Sequence, residues 1–172
     1  MTPTCQYNEG HLKSEVREVE CTSIEEQGSK IAASIRLQLK AYPDELIGVF
    51  CPLKEDVASL KAILSEEEFA SQMVVQDSDE GYLPFEEDSR ICLSTLHSAK
   101  GLEFRAAHFA GVDGLSKFRD RERRMAFTGV TRAKTTLSVY HSGGIPPFLK
   151  SAIAATSPRT GKPNLKDLMG EG

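Results

Sequence analysis

The run ELIGVFCPL, residues 45–53, is the strongest constraint on how this chain folds. Almost all of it is apolar, so both faces of the strand it forms must be covered, as in a parallel sheet held between two layers of helices. The flanking segments carry the period of such helices. Ile24, Ile31, Ile35 and Leu39 recur at spacings of 7 and 4, and Val57, Leu60, Ile63 and Leu64 form a second amphipathic set after Pro52. Thr22 or Ser23 is predicted to cap the first helix, with Glu25 and Glu26 at the positive end of its dipole, and Tyr42-Pro43-Asp44 to end it.

The same alternation continues along the chain. VREVE, residues 16–20, reads as a short strand exposed on one face, and RICLSTL, residues 90–96, as a buried one. SQMVVQ receives no assignment, and DSDEGYLPFEEDS, residues 77–89, reads as an acidic loop. AAHFAGV, residues 106–112, resumes the pattern, a charged segment spans 119–134, TTLSVYH, residues 135–141, is the final strand, and a short helix falls around 148–154. Strands and helices in this order predict an α/β fold with a mostly parallel sheet. A polar leader over 1–13, a folded core over 14–155 and a flexible tail over 156–172 complete the division.

Composition narrows the functional classes. With 172 residues, 40% of them hydrophobic and 27% charged, the chain has material for a proper core. A net charge of -4 argues against a surface uniformly coated in positive charge for indiscriminate nucleic-acid binding. Cys5, Cys21, Cys51 and Cys92 are far apart, with no C-x-x-C pair, which predicts reduced thiols and no metal site. No stretch approaches the roughly 20 apolar residues of a membrane span, and no targeting signal is visible, so a cytoplasmic protein without a membrane partner is expected.

Two segments carry chemistry. HSAKGLEF, residues 97–104, begins where the RICLSTL strand stops, at the end of a parallel strand where ligands usually bind. Gly101 lets backbone N–H groups approach a phosphate, Lys100 adds charge, and Glu103 can hold a ribose hydroxyl or a metal-bound water. A surface ion pair between Lys100 and Glu103 is the plainer reading of the same residues. In ERRMAFTGVTRAKTTLSV, residues 122–139, Met125, Ala126 and Val130 can bury one helix face while Arg123, Arg124, Arg132 and Lys134 stay polar directly before the last strand. An arginine there can reach a phosphate with its planar fork, although four basic residues also describe a solvated face.

Taken together and in this order, TLHSAKGLEF and RRMAFTGVTRAKTTL closely resemble motifs V and VI of the UvrD/Rep-like superfamily 1 DNA helicases. The likeness spans about residues 14–155, because the opening strand and helix followed by ELIGVFCPL also look like the start of that family's second motor lobe. It implies a RecA-like three-layer α/β/α lobe, the 2A domain, which closes over ATP and Mg2+ held by an N-terminal motor lobe, 1A, and moves along single-stranded DNA. By the same likeness Arg132 is the arginine that senses the γ-phosphate, Glu103 contacts the nucleotide sugar or the metal shell, and Lys100 and Gly101 lie on the phosphate side. Thr95 and His97 match positions that touch the DNA backbone or couple it to the nucleotide.

The chain also departs from that pattern. No G-x-x-x-x-G-K-[ST] phosphate loop occurs in its sequence, and neither Gly28-Ser29-Lys30 nor Gly161-Lys162-Pro163 replaces it, so the chain alone is predicted not to hydrolyse ATP at a helicase-like rate. By the same likeness a motif IV arginine is expected after ELIGVFC, where Pro52, Leu53 and Lys54 stand: either Lys54 substitutes as a point charge or the second cation is missing. GVDGLSKFRD and the acidic loop are too short for the large 2B insertion of some relatives. The leading expectation is the C-terminal motor lobe of an ATP-dependent DNA helicase. A non-catalytic adaptor lobe that binds DNA or a helicase partner, and an unrelated α/β domain that binds a phosphate-bearing ligand, are the alternatives.

Overall fold

In the computed structural model, the structure describes residues 15–76, 84–96, 98, 102–115, 124 and 133–156. The polar leader, most of the acidic loop, nearly all of the charged segment 119–132 and the tail after 156 lie outside the described residues. Among the described residues, six strands form a single sheet: β1 Glu15–Glu20, β2 Ile47–Cys51, β3 Met73–Gln76, β4 Ile91–Thr95, β5 Phe104–Phe109 and β6 Ala133–His141. Their spatial order is β1-β6-β5-β2-β4-β3, and all five pairings are parallel.

β2 lies inside the sheet, between β5 and β4, and all five of its residues are buried. The period of 2 sends Ile47, Val49 and Cys51 into one layer, where they meet Ile31 and Ile35 of α1 (Ile24–Ala41) and Val57, Leu60 and Leu64 of α2 (Lys54–Leu64). Phe50 points into the other layer with Cys92, Phe104, Ala107, Phe109, Leu137 and Val139, which Leu149 of α3 (Pro147–Thr156) covers. Two helical layers on one parallel sheet give the predicted three-layer architecture.

Ser23 is the N-cap of α1, its hydroxyl accepting from the Glu26 N–H at 3.2 Å. Glu26 reaches back to accept from the Thr22 hydroxyl at 2.7 Å and the Thr22 N–H at 2.6 Å. These bonds, and the Lys30 ammonium, hold the Glu26 carboxyl down to about 2. Gly28, one turn further on, lets α2 come close: a Cβ there would stand 2.8 Å from the Ile63 Cδ1. Its role is helix packing.

The fold adds one element and corrects three expectations. SQMVVQ contains a strand, β3, at the sheet edge; four residues are too few to show a period. β1 is not exposed on one face only: Val16 packs against one layer and Val19 against the other, because the two are an odd number of residues apart. β5 starts at Phe104, two residues before the predicted run, since Phe104 packs edge-on against Phe50 with ring centres 5.0 Å apart. β6 starts at Ala133, so Ala133 and Lys134 belong to the strand rather than to the segment before it.

Candidate functional site

The parallel sheet separates the two ends of the HSAKGLEF segment. Thr95 ends β4 on the carboxyl edge, beside Cys51 of β2, whereas Phe104 opens β5 on the amino edge, where it pairs with Ala133. A five-residue strand is about 16 Å long, so the chain crosses the full height of the sheet between Leu96 and Glu103. Only the start of the segment therefore lies at the carboxyl edge, because a crossover between parallel strands must return to the opposite edge.

On the carboxyl edge, Thr95 is 7% exposed, and its hydroxyl lies 3.1 Å from the Ser98 hydroxyl. The Ser98 N–H donates to the Thr95 carbonyl at 3.1 Å and closes a turn. Thr95 thus orients Ser98, which is half-buried and further from the core; the sequence reading did not single Ser98 out, although T-x-x-S is a local turn signal. Lys54 is also on this side, at the start of α2 after the carboxyl end of β2. It does not join the amino edge, which tells against its acting on the same phosphate as a group next to Glu103.

A second polar network at the carboxyl edge was not anticipated. Gln27, 1% exposed, accepts from the Gly111 N–H at 2.8 Å and donates to the Ser142 hydroxyl at 2.9 Å. The Ser142 N–H donates to the Asp113 carboxylate at 3.2 Å. Gly111 takes φ +62°, and a Cβ there would stand 2.4 Å from the Asp56 Oδ2, so a side chain is excluded twice over. Burial first, then Asp113 and Glu55, push the Asp56 carboxyl up. The exits of β5 and β6 are thereby tied to the first turns of α1 and α2.

On the amino edge, Glu103 is 70% exposed in its side chain and pairs with Lys134 at 3.0 Å. Lys134 is thus the cation beside Glu103 among the described residues; Lys100, the expected one, lies outside them. His97, Gly101 and Arg132 lie outside the described residues too, while Ala133, the residue after Arg132, opens β6 next to Phe104. Two surface grooves, of about 440 and 390 Å3, are lined by none of Thr95, Glu103 or Lys134. Among the described residues, no group of three or more His, Cys, Asp or Glu is placed to hold a metal ion, and no helix is long and apolar enough to cross a membrane. Cys21, Cys51 and Cys92 are free thiols, all buried.

Residues 90–140, which take in both edges of this site, match the profile of the UvrD-like helicase C-terminal domain. This stretch is similar to UvrD-like helicase sequence. Over 60 residues the chain is 43% identical to DNA helicase II of Haemophilus influenzae, an alignment covering 29% of this chain and 8% of that protein. The C-terminal domain of a possible DNA helicase from Lactobacillus plantarum superposes with a TM-score of 0.62 at 17% identity, over 84% of this chain and 83% of that one. The SWI2/SNF2 ATPase core of Sulfolobus solfataricus, solved with double-stranded DNA, gives 0.61 at 13% identity, over 90% and 33%. Domain 2 of the DEAD-box helicase Mss116p, solved with an RNA duplex, gives 0.58 at 13%, over 87% and 62%. At these identities the superpositions speak for the fold alone, a RecA-like α/β lobe, and the likeness to the UvrD-like profile is confined to the segment that links its two edges.

Proposed function

We propose that the chain acts as the C-terminal motor lobe of an ATP-dependent DNA helicase, touching single-stranded DNA at one sheet edge and nucleotide at the other. The observation that carries this reading is the crossing of the UvrD-like segment from Thr95 on the carboxyl edge to Glu103 on the amino edge. Movement of nucleotide at one end of that segment is thereby transmitted to DNA at the other. Thr95, through Ser98, and His97 take the DNA backbone; Glu103 takes the nucleotide sugar or a Mg2+-bound water; Lys100 and Gly101 face the phosphates. Arg132, one residue before β6 opens beside Glu103, reaches the γ-phosphate.

ATP and Mg2+ must be held largely by an N-terminal motor lobe, in the same or another chain, because this sequence has no phosphate loop. That lobe and single-stranded DNA are the partners of the reading.

Substitutions at the two edges should separate the two ligands in such a lobe pair. Thr95→Val releases Ser98 and is expected to weaken single-stranded DNA binding roughly 3- to 10-fold, the cost of one hydrogen bond, with the KM for ATP unchanged in the absence of DNA. Glu103→Gln should raise that KM and leave DNA affinity alone. Titration of labelled DNA and steady-state kinetics measure both, and an unchanged DNA affinity in the Thr95 variant with a changed one in the Glu103 variant would refute the assignment.

A further inference from the structure

The pairing of β5 with β6 is irregular at one place. Phe104 pairs with Ala133 and Ala106 with Thr136, so Lys134 and Thr135 together oppose the single residue Arg105. This is a β-bulge, a device that re-aims side chains next to sites. Two buried side-chain polar atoms without a hydrogen-bond partner are found among the described residues, Arg105 Nε and Thr135 Oγ1, and both flank this bulge. The Arg105 guanidinium lies 4.9 Å over the Tyr42 ring, and its Nε is 3.6 Å from Glu45 Oε1, too far for a hydrogen bond. Arg105 keeps the Glu45 ion pair and the Tyr42 ring, whereas burying the Thr135 hydroxyl without a hydrogen bond costs stability.

The bulge has a compensating product at the surface. It leaves Lys134 aimed at Glu103, bridging the start of β6 to the end of the UvrD-like loop at 3.0 Å. A one-residue change in register would turn Lys134, upstream of Thr136, to the opposite face. We propose that the Lys134–Thr135 bulge is a positioning device of the nucleotide edge, in which Lys134 fixes the Glu103 carboxylate and Thr135 is retained at a cost in stability. The inference rests on the proposed placement of nucleotide at this edge. Lys134 acts through Glu103 and is a positioning residue.

The test uses the chain alone and the chain joined to a lobe that supplies the phosphate loop. For the chain alone, Thr135→Val should raise the melting midpoint by a few degrees, because it removes an unpaired hydroxyl without changing shape. In the lobe pair, Lys134→Met should raise the KM for ATP several-fold with little change in kcat, and Lys134→Arg should restore it. A Lys134→Met pair with unaltered KM, or a Thr135→Val chain that melts at or below the parent midpoint, overturns the inference. The proposed function itself fails separately: a parent pair whose hydrolysis is indifferent to Arg132→Ala removes both.

Discussion

Arg132→Ala lowers DNA-stimulated ATP hydrolysis by the lobe pair about a thousandfold or more, while single-stranded DNA affinity changes little. The size follows from the chemistry of phosphoryl transfer, in which the protein contributes position and charge rather than covalent chemistry. An arginine supplied from across a domain interface is worth roughly 10³- to 10⁵-fold in kcat. Lysine at the same position should recover only part of the loss, because a point charge lacks the planar fork that meets two phosphate oxygens. Single-turnover hydrolysis at saturating DNA measures the effect. A loss of a few-fold only, with DNA binding intact, would favour an adaptor lobe over a motor lobe.

Acidification is the second large effect. His108 is fully buried on β5, with Nε2 2.8 Å from Gln38 Oε1 and Nδ1 3.0 Å from the Tyr140 hydroxyl. Nε2–H donates to the amide oxygen, and Nδ1 accepts from the phenol, whose proton burial retains. Both ring positions are used by the neutral form, and desolvation lowers the imidazole to about 4. Between pH 6.5 and 4 the unfolded chain therefore binds a proton that the folded chain refuses. Stability is complete above 6.5 and falls as pH drops through this window, by about 3 kcal/mol in total. The raised Asp56 carboxyl acts in the opposite sense, gaining its proton more readily in the folded chain. Urea midpoints across pH 7 to 4 should show the decline, and NMR titration should find the His108 ring neutral at pH 5. A His108 ring that titrates near 6.5 would contradict the account.

The parts of the fold that were legible in the sequence are those where burial imposes a long pattern. The IGVFC centre of ELIGVFCPL is buried on both faces, and α1 and α2 repeat apolar residues over three turns or more, so their placement needed no tertiary information. Met73–Gln76 was not legible because a four-residue edge strand is defined by its partner, β4, rather than by its own period. Thr95 and Glu103 were singled out in the sequence because they stand in a segment resembling a known motif, but their relative placement was not legible there. Nothing local in the sequence says that the two lie on opposite edges; that follows from β4 and β5 being parallel and on either side of β2. The bulge at Lys134–Thr135 was equally hidden, since TTLSVYH alternates as a regular strand would and the extra residue appears only against Arg105. Gln27 carried no signal in the sequence, because its partners, Gly111 and Ser142, are 84 and 115 residues away in the chain.

The most direct test of the central claim is ATP hydrolysis by this chain, alone and mixed with or fused to a phosphate-loop lobe, with and without single-stranded DNA. Half a nucleotide site positions nothing by itself, whereas completing it makes the arrangement intramolecular. The account predicts no hydrolysis above background from the chain alone and at least a 5- to 10-fold gain, as an order-of-magnitude figure, when lobe and DNA are both present. Hydrolysis by the isolated chain, or a phosphate-loop lobe whose rate the chain leaves unchanged, would contradict it.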